Sequence, residues 1–78
     1  MFAEDTYIDL SGVECPMNFI RSKLLIDTMK KGQILKIKLD NGEAVDSVIS
    51  SLIEEGHDIL ETSPFDSYSE VFVKKSTL

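Results

Sequence analysis

Residues 34–56 read ILKIKLDNGEAVDSVISSLIEEG, and the change of period inside this stretch decides the fold. Leu35, Ile37 and Leu39 alternate with Lys36 and Lys38, the period of two of a strand with one buried face. Asp40-Asn41-Gly42 then turns the chain. From Glu43 to Glu55 the period becomes helical: Val45, Val48, Ile49, Leu52 and Ile53 form one apolar stripe, with Asp46, Ser47, Ser50 and Glu54 off it. Gly56 supplies the stop. A strand running directly into an amphipathic helix is half of a crossover unit, so the stripe is expected to face a sheet.

The segments on either side extend the pattern. Tyr7 to Leu10 reads as a short strand ending at Ser11-Gly12. From Asn18 to Lys30 the residues Phe19, Ser22, Leu25, Ile26 and Met29 recur at helical spacing, and Gly32 after Lys30-Lys31 marks the end. His57–Thr62 and Glu70–Lys75 read as two further strands joined by the turn-rich SPFDSYS of residues 63–69. The order is βαβαββ. Right-handed crossovers place both helices on the same side. The expectation is a two-layer α/β sandwich: a mixed four-stranded sheet with two helices on one face, in a single domain spanning 1–78. Lys36, Lys38 and Lys74 are then expected on a solvated open face.

The composition narrows the function. Fourteen acidic against eight basic residues give a net charge of −6, which repels phosphate backbones, so direct nucleic-acid binding is not expected. No apolar run approaches the roughly twenty residues needed to span a bilayer, and the N-terminus lacks a basic segment followed by an apolar one. Both features suggest a cytoplasmic, unprocessed chain that does not enter a membrane. The single cysteine, Cys15, has no partner for an internal disulfide, which fits a reducing compartment.

Cys15 is followed directly by Pro16. Proline suits the first helical position because its missing N–H would be unpaired there in any case. That places Pro16 at N1 and Cys15 at the N-cap, where unpaired amides and the helix dipole favour a thiolate. Glu14 opposes that effect, whereas Arg21 and Lys23 are candidates to offset Glu14. A free cysteine is more commonly a small buried hydrophobe, but a loop-to-helix junction is a poor core position. A dithiol oxidoreductase needs a second cysteine and a zinc site needs several ligands, so no metal is expected. Only His57 is available as a base, and a structural role suits it as well. An accessible thiolate without a resolving partner is suited to carrying sulfur as a persulfide.

The run DLSGVECPMN followed by a helix, then GQILKIKLDNGE, a second helix, EGHDI and a final VFVKK, resembles the TusA/SirA-like sulfurtransferase family over nearly the whole chain. The resemblance implies a βαβαββ sandwich with a Cys-Pro-x-Pro motif at its first helix. It also implies that Cys15 is the nucleophile and persulfide carrier, that Pro16 positions the thiol, and that no cofactor is needed. The second motif proline falls on Asn18, a departure that replaces a stiff ring with an amide and restores a backbone donor. The implied partners are sulfur-donor and sulfur-acceptor proteins, a cysteine desulfurase among them.

Met17, Ile20 and Leu24 fall on a different side of the first helix from its core stripe and are expected to be partly exposed near Cys15. They make a candidate partner-binding stripe; packing at the edge of the core is the competing reading. Asn18, Arg21 and Lys23 are candidate supporting positions. The preferred function is therefore a sulfur carrier acting enzymatically through a cysteine persulfide. The alternative is a regulatory or adaptor module of the same fold, with Cys15 a redox sensor or structural residue. A monothiol glutaredoxin-like domain would need more chain and more helices.

Overall fold

The computed structural model describes residues 3–76. Met1, Phe2, Thr77 and Leu78, which the single-domain reading includes, lie outside the described residues. Six elements follow in the expected order: β1 (Thr6–Asp9), α1 (Met17–Asp27), β2 (Ile34–Asp40), α2 (Glu43–Glu54), β3 (Asp58–Pro64) and β4 (Tyr68–Lys74). The spatial order is β1-β2-β4-β3. β1 runs parallel to β2, while β4 lies antiparallel between β2 and β3. Each helix therefore links two parallel strands, and crossovers of the same hand bring both helices to one face of the mixed four-stranded sheet.

The alternation in β2 does what its period requires. Leu35, Ile37 and Leu39 are fully buried, and Val73 and Val71 of β4 lie opposite Leu35 and Ile37. Val45, Val48 and Leu52 of α2 close over them, with Ile26 of α1 completing the layer. Ile53 departs from the expected stripe, being 56% exposed. One residue beyond Leu52 is a rotation of about 100°, enough to carry Ile53 past the edge of the sheet.

The inward line of α1 also differs from expectation. Asn18, Ser22 and Ile26, spaced i, i+4, i+8, are the buried residues of that helix, whereas Phe19 and Leu25 are half-buried at its flanks. The helix ends at Asp27 rather than Lys30. Thr28 donates both its backbone N–H and its hydroxyl to the Leu25 carbonyl, tightening the last turn. The buried Lys75 ammonium donates to the carbonyls of Met29 and Asp27 at 2.7 and 3.3 Å. A cation at this end of a helix opposes its dipole favourably.

Lys36 and Lys38 do not simply lie in solvent on the open face. The Lys36 ammonium pairs with Glu70 at 3.3 Å and sits over the rings of Tyr7 and Phe72; Lys38 sits over the ring of Tyr68. The hydrogen bond to Glu70 raises the Lys36 pKa above its ordinary value. Aromatic rings at outward positions thus hold the lysine stems down onto the sheet.

His57 follows Gly56 and is buried, accepting the Ser76 N–H at Nδ1 (3.3 Å). Burial lowers its pKa, and the nearby Lys75 ammonium lowers it further. The unfolded chain takes up this proton near about pH 6.5, where the folded chain resists it. Stability from this group is therefore present above that pH, and it declines as pH falls toward the lowered folded value. His57→Gln should flatten that decline: urea midpoints at about pH 7.5 and 5.5 should differ less in the variant than in the wild type. Equal differences in both proteins would refute the assignment.

Candidate functional site

The loop between β1 and α1 is anchored by two carboxylates. Asp9 accepts the Ser11 N–H at 2.9 Å, and Asp40, at the end of the neighbouring strand, accepts the Gly12 N–H at 2.7 Å. The Ser11 hydroxyl and amide hold the Asp9 carboxyl below its ordinary pKa. Gly12 has φ +75, the left-handed region that favours glycine, although a side chain there would meet nothing within 4 Å. Backbone conformation, not crowding, accounts for the glycine.

Cys15 lies just beyond this anchored loop and is exposed. The expected helix start shifts by one residue: Pro16 is the N-cap, N1 is Met17, and Cys15 occupies the preceding turn. The Cys15–Pro16 peptide is cis. Amide pairing explains the shift. The Asn18 N–H reaches back to the Glu14 carbonyl at 3.1 Å, spanning Cys15, Pro16 and Met17, and within the helix the Ile20 N–H bonds the Pro16 carbonyl. The Phe19 N–H is taken by the Asn18 side chain, whose Oδ1 lies 2.7 Å away. Asn18 thereby satisfies one of the amides left unpaired at a helix N-terminus.

An open cavity of about 830 Å³ lies between this turn and α2, lined in part by Glu14, Cys15, Asn18, Glu43, Asp46 and Ser47. Ser47 Oγ is 3.6 Å from Cys15 Sγ, so a hydroxyl from the second helix touches the thiol. The pair is thirty-two residues apart in the chain, and no local sequence signal joins them. Glu43 and Asp46 occupy the first turn of α2, where their charge suits the helix dipole. With Glu14 they place three carboxylates around the cavity, and no lysine, arginine or histidine is among its described lining residues.

Among the described residues, neither of the expected supporting cations lines this cavity. Lys23 instead pairs with Glu55 at 3.0 Å and Asp27 at 3.2 Å, and these contacts raise its pKa, Glu55 first. Arg21 is exposed and does not line the cavity. Nor does His57, which spends Nδ1 on a backbone amide. Among the described residues, no group of three or more His, Cys, Asp or Glu converges so as to hold a metal ion. Met17, Ile20 and Leu24 are 46%, 38% and 64% exposed, an apolar line that begins two residues after the thiol.

The family model for the sulfurtransferase TusA matches residues 6–75. A putative sulfur carrier protein of Archaeoglobus fulgidus is 42% identical over 53 residues, covering 68% of this chain and 60% of that protein. The sulfur carrier protein TusA of Allochromatium vinosum is 25% identical over 72 residues, covering 92% and 95% of the two chains. The crystal structure of a SirA-like protein from Desulfitobacterium hafniense superposes with a TM-score of 0.77 at 19% identity, over 92% of this chain and 99% of that one, a likeness of fold. Among the described residues, no helix is long and apolar enough to cross a membrane.

Proposed function

This chain belongs to the TusA sulfurtransferase family, and we propose that it is a cytoplasmic sulfur carrier that works through a persulfide on Cys15. The observation that carries the proposal is an exposed thiol that lines a cavity, in a chain with no second cysteine to discharge it. The Cys15 thiolate attacks the outer sulfur of a donor persulfide. A new S–S bond forms at Sγ, the donor S–S bond breaks, and its electron pair leaves on the donor's inner sulfur as a thiolate. No net oxidation takes place. An acceptor thiolate then repeats the step on the loaded chain and returns Cys15 as thiolate. Sulfur-donor proteins such as a cysteine desulfurase, and sulfur-acceptor proteins, are the partners.

Exposure of Cys15 counts against the buried-hydrophobe reading. The adaptor reading is separated by chemistry. Protein loaded by a cysteine desulfurase and cysteine, then desalted, is treated with cyanide, which takes the outer sulfur as thiocyanate and leaves Cys15 as thiolate. About one thiocyanate per chain is expected. A folded protein with a free thiol that yields none would be an adaptor.

Met17, Ile20 and Leu24 are assigned here to partner docking, since exposed apolar surface beside a reactive group suits an interaction site. Ile20→Asp combined with Leu24→Asp should leave loading by inorganic polysulfide unchanged and slow loading by the desulfurase about tenfold or more. Equal rates with the desulfurase, or equal slowing by both routes, would count against docking.

A further inference from the structure

The sulfur-carrier reading leaves Asn18 unexplained. The residue is polar yet only 1% exposed, on the inward line of α1. Its Oδ1 accepts the Phe19 N–H at 2.7 Å, which fixes the orientation of the amide, because a flipped amide would set two donors against each other. Nδ2 is then left buried without a hydrogen-bond partner, the one such side-chain atom among the described residues. Buried donors are almost always paired, so this orphan calls for an explanation. Asn18 lines the same cavity as Cys15.

Loading supplies an acceptor. A persulfide extends the side chain by one S–S bond, about 2 Å, and its outer sulfur carries the negative charge when ionised. Glu14, Glu43 and Asp46 repel an anion in this cavity, and the Ser47 hydroxyl, partly open to water, already meets the inner sulfur. The Asn18 amide is the neutral donor withheld from solvent.

We infer that Nδ2 of Asn18 donates a hydrogen bond to the outer sulfur of a persulfide on Cys15, which makes Asn18 a positioning residue for the loaded state alone. The inference rests on the sulfur-carrier reading. It also gives a use to the place where the chain departs from Cys-Pro-x-Pro, since proline there would have no side-chain donor.

The test equilibrates the protein with a buffer of glutathione and glutathione persulfide and reads the loaded-to-empty ratio by intact mass. In parallel, the pH profile of iodoacetamide alkylation is recorded on the empty thiol. Asn18→Ala should lower the ratio about tenfold, the size expected for a hydrogen bond to a charged group, and leave the alkylation profile in place. Asn18→Ser retains an acceptor for the Phe19 N–H, but its hydroxyl sits one bond short of the Nδ2 position, so it should show the same loss if the alanine variant fails to fold. A ratio unchanged in a folded variant overturns the inference, as does a loss accompanied by a displaced alkylation profile. Wild type that takes up no sulfur overturns the carrier reading and this inference with it, whereas wild type and variants that load equally overturn this inference alone.

Discussion

Cys15→Ser is expected to take up no sulfur from any donor, with both thiocyanate yield and mass gain falling below detection. A serine hydroxyl is scarcely ionised near neutral pH, and the chain has no other cysteine to take over. The fold should be indifferent to the change. Cys15 is exposed, and its hydrogen-bonding contact is Ser47 Oγ at 3.6 Å, a partner that a serine hydroxyl can also use. Thermal unfolding should therefore stay within about 0.5 kcal/mol of wild type. Sulfur retained by this variant would show that uptake does not pass through Cys15.

The second large effect is on stability. Leu52→Ala should cost about 3 kcal/mol, because Leu52 is fully buried against the sheet and its removal leaves a cavity as well as losing burial. For a domain of this length that corresponds to a fall in Tm of about 12–24 °C, a large part of a total stability of about 4–12 kcal/mol. Ile53→Ala, one position along the same helix, should change stability by no more than about 0.5 kcal/mol because its side chain is 56% exposed. Paired thermal melts check both. Equal shifts would mean that α2 packs on the sheet at a different rotation.

That contrast shows where the sequence is readable and where it is not. The period of residues 34–56 identifies a strand and a helix, and chain order with crossover handedness yields the sheet and the side its helices occupy. Periodicity tells which side of α2 is apolar, but not how far around the helix the cover of the sheet extends. Val48 and Leu52 are buried while Ile53 is not.

The site divides in the same way. Cys15, Pro16 and the exposed line Met17, Ile20 and Leu24 are local features, visible in a dozen residues. Ser47 beside the thiol, Asp40 on the Gly12 amide and Glu55 on Lys23 are contacts across long chain separations. They depend on how α2 and β2 approach the Cys15 loop and α1, which no local pattern encodes. Asn18 is a candidate from the motif alone, but its burial is not legible there: a polar residue is ordinarily assigned to the surface, and its burial follows from the line it shares with Ser22 and Ile26.

In the proposed function Cys15 carries one sulfur atom reversibly. The most direct test is the intact mass of the wild-type chain after incubation with a cysteine desulfurase and cysteine, and again after reduction. The expected result is a gain of about one sulfur per chain that disappears with reductant. An unchanged mass, with the fold intact and Cys15 still open to alkylation, would contradict it.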